Sequence, residues 1–251
     1  MKFRIVFFCL FFAWLNVNAG GEQTLIAKGN KAYAVGAYTD AAATYEKVVA
    51  MGLESPDLYY NLGNAYFKMN DFAKAILWYE RAQRLEPGNE DIDFNLKVAN
   101  NKIADKIEPL PELFYKRWFT GLVHSFSVDA WAWMGIIFLV LALSAGALYL
   151  ISRILFLRKA GFWIGLILLF FSIFSLFLAW SGNVFLKSDQ EAIIFTPTIT
   201  IKSSPDDKST DLFVLHEGAK VQLLDNISGW YEIRIANGSV GWLPVTAVER
   251  I

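Results

Sequence analysis

Residues 56–89 read PDLYYNLGNAYFKMNDFAKAILWYERAQRLEPGN, and residues 22–55, EQTLIAKGNKAYAVGAYTDAAATYEKVVAMGLES, repeat their pattern at the same length. Shifted by 34 positions, Gly29-Asn30 falls on Gly63-Asn64, Tyr38 on Phe72, Ala41 on Ala75, and Tyr45-Glu46 on Tyr79-Glu80. A fixed period of this length is the signature of stacked helical hairpins, each burying its apolar side only against a neighbour. Such arrays offer grooves to other proteins, so the pattern points to assembly rather than catalysis. Small residues at Gly63 and Ala75 let the two helices of a hairpin cross closely. Tyr66, Phe72 and Tyr79 fill the space between successive hairpins, and Pro87 stops the second helix. Residues 90–106 continue in register for one helix only, with Leu96 on Leu62 and Asn95 on Asn61. Lys97 at the glycine position suits a polar capping helix, which a solenoid end needs for solubility.

Leu62, Gly63, Tyr66, Phe72, Ala75, Tyr79, Ala82 and Pro87 resemble the tetratricopeptide (TPR) repeat pattern. The first copy keeps Gly29, Tyr38, Ala41 and Tyr45, but has Ala32 where the pattern wants Tyr and Leu53 where it wants Pro. The resemblance implies an all-α TPR domain over 20–106, with repeats 22–55 and 56–89 and a capping helix 90–106. Its concave groove would be lined by Asn30 and Tyr33, then Tyr60, Asn64, Phe67 and Lys68, then Phe94, Val98 and Asn101. Exposed aromatics among amides suit an extended or helical peptide. For Tyr33 and Phe67, packing under the neighbouring helices is the rival reading. TPR domains that clamp a terminal carboxylate use groove lysines. Ile26 and Asp91 stand at two of those positions here, so that ligand is not implied.

Hydrophobic residues make up 55% of the chain and the mean hydropathy is +0.35, so some segments belong in lipid. The formal net charge is −1 with both signs mixed, unlike the clustered basic face that nucleic acid requires. Residues 1–19 read as a secretory signal. Lys2 and Arg4 precede the apolar run Ile5 to Leu15, and Val17-Asn18-Ala19 offers small residues for cleavage after Ala19. A retained anchor is the alternative, although the run falls short of the ~20 apolar residues a span needs. The one cysteine, Cys9, lies in this segment and follows no lipoprotein box. Removing it leaves no thiol for disulfides, nucleophilic catalysis or thiolate metal sites.

Two transmembrane helices are expected at 129–151 and 161–181. Ala130 to Ile151 and Gly161 to Ser181 carry no charge, and each is long enough to cross once. The loop 152–160 holds Arg153, Arg158 and Lys159 and no acid, which makes it cytoplasmic and places both flanks on the far side. Gly161-x-x-x-Gly165 and Ala142-x-x-x-Gly146 would let helices approach closely, though glycine is also common in spans for no special reason. The spans carry no ionisable group at mid-depth, so transport and proton relay lack equipment. Before them, 107–128 has Pro109 and Pro111, then Phe114, Tyr115, Trp118 and Phe119 interleaved with Lys116 and Arg117, a composition for the membrane interface. Residues 182–189 read as a linker.

Residues 190–251 change to short strands. Tyr231 to Ile235 alternates, Ala236-Asn237-Gly238 turns, and Val240 to Pro244 returns. Earlier strands are expected at 192–195, 199–202, 212–215 and 220–224, giving five or six strands and a small closed barrel. Thr200 to Pro205, Leu215 to Ala219, Gly229 to Ile233 and Gly238 to Pro244 resemble the bacterial SH3-like (SH3b) family, with Ile201-Lys202 where the family usually has Val-Arg. Trp230, Tyr231 and Trp242 form the candidate ligand face; barrel packing is the rival reading for the tryptophans. His124 and His216 lie in different regions, so no metal site is expected. No phosphate loop, nucleophile elbow or zinc-protease motif appears, so neither a cofactor nor an enzyme activity is expected.

The order of signal, TPR pair, two adjacent spans and SH3-like domain resembles the BatE family of the Bacteroides aerotolerance (Bat) operons. Tyr59 to Tyr66, reprised at Asp93 to Leu96, is its strongest local piece. The resemblance implies a two-pass inner-membrane component with its TPR and SH3-like domains in the periplasm. Its partners would be von Willebrand A-domain membrane proteins in a complex with a MoxR-type ATPase, linked to oxidative or envelope stress. The alternative is a wall-associated protein whose SH3-like domain binds peptidoglycan while the repeats recruit a wall enzyme.

Overall fold

The computed structural model describes residues 20–251 apart from Glu112 and Asp189. The expected signal, with Cys9, lies outside the described residues. Five helices form the repeat block: α1 (Gly20–Ala34), α2 (Tyr38–Ala50), α3 (Pro56–Lys68), α4 (Phe72–Leu85) and α5 (Glu90–Asn100). Their boundaries follow local chemistry. Ser55 Oγ accepts from Leu58 N ahead of Pro56, Asp71 Oδ1 accepts from Lys74 N, and Asn89 Oδ1 accepts from Asp91 N and Ile92 N. Gly36 and Asn70, one repeat apart, turn the chain inside each hairpin at φ 82° and 62°, a left-handed geometry that favours these two residue types.

The repeat core holds Ala41, Tyr45, Val48, Leu62, Ala65, Ala75, Ile76, Tyr79, Ala82 and Leu96, all buried. A Cβ on Gly63 would sit 2.7 Å from the Tyr79 ring, and one on Gly29 2.4 Å from the Tyr45 ring. Each glycine is therefore the seat of its own hairpin's tyrosine. Tyr66 does bridge hairpins, donating its hydroxyl to Glu46.

Helix α6 (Phe114–Val123) leads into α7 (Val128–Ile151) and α8 (Leu155–Ser188), which are long and apolar enough to cross a membrane. The pair packs tightly. Ser172 Oγ donates to Gly135 O and Ser175 Oγ donates to Trp131 O, while Gly161 abuts Ala145 O and Gly165 faces Ala145 and Gly146. Two expectations are corrected. The loop 152–160 shrinks to 152–154, with Arg158 and Lys159 inside α8, and the linker 182–189 is helical through Ser188. Leu155, Arg158, Lys159 and Ala160 are strong helix formers and start α8 ahead of the apolar run, whereas Gly182 and Asn183 lie within the helix despite low helix propensity.

Seven strands follow: β1 (Glu191–Ile194), β2 (Thr198–Lys202), β3 (Asp211–His216), β4 (Lys220–Ile227), β5 (Trp230–Arg234), β6 (Val240–Pro244) and β7 (Val248–Arg250). The antiparallel order is β3-β2-β6-β5-β4-β1-β7. The expected closed barrel is corrected to an open sheet, because β3 pairs with β2 and β7 with β1 and the two edges do not join. The sheet nevertheless gathers Ala192, Ile194, Ile201, Leu215, Val221, Ile233 and Leu243 into one core. Register shifts at Ile201/Lys202 and Leu223/Asp225 bend the strands.

The sheet is not separate from the repeats. Ile193 of β1 is fully buried in the repeat core, while its neighbours Ala192 and Ile194 face the sheet core. The stretch after α5 crosses the sheet as a strap. Ile103 abuts Gly218, Asp105 accepts from His216 N (2.6 Å) and lies 2.8 Å from His216 Nδ1, Ile107 packs on the sheet core, and Leu110 N donates to Ala236 O.

Candidate functional site

The first helices of the hairpins, α1 and α3, and the capping helix α5 line a groove of ~390 Å³. Period and helix phase bring together Tyr33, Tyr60, Asn64, Phe67, Lys68, Phe94 and Val98. Two further residues complete the lining, Tyr79 and Asn95. Tyr79 comes from a second helix and reaches the groove only because Gly63 leaves room beneath its ring. Asn95 sits between Phe94 and Val98 on α5, and the repeat register, which sets it on Asn61, does not by itself place it in the groove. Asn30 and Asn101 are exposed and stand outside the groove. Asn30 lies on the first described hairpin, where its amide oxygen accepts from Tyr45 Oη, and Asn101 is the C-cap where the chain leaves for the strap.

Hydrogen bonds fix the groove floor. Tyr79 Oη donates to Asn64 Oδ1 at 2.7 Å, and Asn95 Nδ2 donates to Asn64 Oδ1 and Tyr60 Oη, both at 2.9 Å. Tyr45 Oη donates to Asn30 Oδ1 in the same way, one repeat earlier. Burial, with Tyr60 and Tyr33 nearby, pushes the Tyr79 hydroxyl above its usual range, so it stays a donor. The amide oxygens of Asn30 and Asn64 are thus committed to structure. The rings repeat as well. Tyr33 meets Tyr38 edge-on at 5.2 Å and Phe67 meets Phe72 at 5.5 Å, so both aromatics pack on the next helix while still facing the groove. Phe94 is 66% exposed with Lys68 beside it in the lining, an aromatic and a cation open to a ligand.

A different face of the array is covered. Ile76, Glu80 and Arg84 fall at i, i+4 and i+8 on α4, and this row meets the sheet. Lys220 Nζ lies 2.8 Å from both Glu80 Oε2 and Glu191 Oε2. Burial pushes the Glu80 carboxyl above its usual range, against the pull of Lys220. Burial lowers the Lys220 ammonium, but Glu80 and Glu191 more than offset this and hold it above its usual value. Arg84 Nη1 donates to Ile251 O at 2.7 Å, and Arg81 donates to Glu249 Oε1 and Arg250 O.

The expected ligand face of the sheet is corrected. Successive strand residues point to opposite sides. Tyr231, opposite Leu243, packs on the sheet core, whereas Trp230 and Trp242 belong to the other side, with Trp242 opposite Glu232. The three do not converge. Among the described residues no group of three or more His, Cys, Asp or Glu side chains stands together.

The tetratricopeptide repeat family profile matches residues 56–89, and a TPR repeat profile matches residues 29–70. The chain carries TPR repeats, and these are modules for contacting other proteins. No curated protein matches the chain.

Proposed function

We propose that this chain is a membrane-anchored, non-enzymatic scaffold whose TPR groove takes an extended segment of a partner protein. The observation that carries the reading is the division of the array's faces. The sheet covers α4, while an aromatic and amide groove on the first helices stays open, its floor fixed by hydrogen bonds. In this reading α7 and α8 form a two-pass inner-membrane hairpin. Arg153, Arg158 and Lys159 mark its cytoplasmic end, and the repeats and the sheet stand in the periplasm. The BatE-type resemblance makes von Willebrand A-domain membrane proteins the first partners to test, in a complex serving oxidative or envelope stress tolerance. The peptidoglycan alternative has less support, because Trp230, Tyr231 and Trp242 do not form one face.

Crosslinking in intact cells, followed by purification of the tagged full chain in mild detergent, tests the groove. Lys68→Ala with Phe94→Ser removes two exposed contacts and leaves the Asn64 network intact. Partners recovered with the wild type should fall about tenfold or more with this variant, the loss expected when a ~1.4 kcal/mol or larger contact set is removed. Equal recovery would move binding elsewhere on the chain.

A further inference from the structure

We infer that α6 is a third membrane contact, resting on the spanning reading of α7 and α8. It lies flat in the interfacial layer with Phe114, Tyr115 and Trp118 turned to lipid, and it sets the height of the repeat block over the bilayer.

The two sides of α6 have different surroundings. Phe114, Tyr115 and Trp118 are 84%, 58% and 70% exposed. Their i, i+1, i+4 spacing groups them on one side of the helix. Leu113, also exposed, extends the apolar surface just before it. The adjoining side, which carries Phe119 and Val123, is packed. The rings of Phe119 and Phe177 of α8 lie 6.3 Å apart, and Val123 is buried against Gly182 of α8. Trp131 Nε1 donates to Val123 O at 3.0 Å, tying the end of α6 to the start of α7.

The level of that packing names the occupant. Phe177 and Gly182 belong to the last turns of the apolar part of α8, which ends at Val184. Trp133 and Trp180, both exposed, sit at this same end of the hairpin. At the other end stand Tyr149, Phe162 and Trp163, with the Arg158 guanidinium 5.5 Å over the Tyr149 ring. From Trp163 to Trp180 the helix rises about 26 Å, close to a hydrocarbon core of ~30 Å. Tryptophan and tyrosine gather where headgroups meet acyl chains. Helix α6 crosses the hairpin at that depth, so its aromatic side is continuous with surface already facing lipid. A short amphipathic helix with its apolar side sunk into the boundary is the geometry of an interfacial anchor. The repeat block rests on it, because a Cβ on Gly88, in the turn before α5, would lie 3.5 Å from His124 O at the C-cap of α6.

Spin labels on the full chain in lipid vesicles test this, with Cys9 replaced by Ser where the signal is retained. Labels go on Trp118→Cys, on Tyr115→Cys as an independent reporter, on Ile137→Cys in the middle of α7, and on Lys208→Cys in a turn of the sheet. The readout is collision with lipid-soluble oxygen relative to a water-soluble nickel chelate. Trp118 and Tyr115 should give ratios several-fold above Lys208 and below Ile137. If Ile137 reads as deep but Trp118 and Tyr115 match Lys208, the interfacial role of α6 is wrong. If they are shielded from both reagents, protein rather than lipid covers the face, and the inference again fails. If Ile137 itself reads as aqueous, the spanning reading falls and takes this one with it.

Discussion

Glu80 shows how one side chain couples two parts of the chain. In the repeat it follows Tyr79 as Glu46 follows Tyr45, yet Glu46 is exposed and bonds to Tyr66, while Glu80 is buried against the sheet. Nothing local distinguishes the two copies. Removing Lys220 leaves a buried carboxylate without its main partner, whereas removing the carboxylate leaves Lys220 with Glu191. Lys220→Met should therefore cost about 3 kcal/mol at pH 7, the low end for a buried pair because the lysine keeps partial exposure. Glu80→Gln should cost about 1 kcal/mol or less. The pH dependence has a definite sign. A carboxyl whose folded-state pKa lies above the unfolded value stabilises fully below the unfolded value of about 4.3 and loses that contribution as pH rises through the folded value. The Lys220→Met deficit should accordingly shrink between pH 7 and pH 5. Thermal unfolding of the full chain in detergent at both values measures it, and equal, pH-independent losses in the two variants would contradict this account.

Strand β1 makes the same point for an element. Its sequence, Glu-Ala-Ile-Ile, reads correctly as a strand, but both of its sides are buried, one in each core. The strap after α5 supplies Ile107 to the sheet core and caps β3 through Asp105. Residues 190–251 therefore do not hold all of their own core. Expressed alone, that fragment would expose Ile193 and Phe195 and lose Ile107, a few kcal/mol of apolar burial at about 1.5–3 kcal/mol for each large side chain. It should melt broadly, with poorly dispersed amide resonances, and a sharp transition matching the full chain would show the sheet to be self-sufficient. Tests of peptidoglycan binding consequently need the full chain.

For the whole molecule, the strap, the Glu80–Lys220–Glu191 cluster and the contact between Gly88 and His124 join repeats, sheet and α6 into one block above the α7–α8 hairpin. If the hairpin spans as proposed, the two ends of the molecule differ in their access to solutes outside the membrane. With Cys9 absent, Ile154→Cys between the helices should resist an impermeant maleimide in intact spheroplasts, and Lys208→Cys should react. The reverse pattern would invert the topology.

The 34-residue period was enough to phase the repeat helices, and phase alone places Tyr33, Tyr60, Asn64, Phe67, Lys68, Phe94 and Val98 toward one groove. Uninterrupted apolar length was enough to mark α7 and α8, and alternation to mark most strands. These are short-range properties, set by helix pitch, strand pleat and the absence of charge. The open edges of the sheet, the second buried side of β1, the strap and the separation of Tyr231 from the tryptophans depend on which distant residues meet. So does the split fate of Glu46 and Glu80, identical in their repeats, since burial is a property of the surface that arrives and not of the residue that receives it.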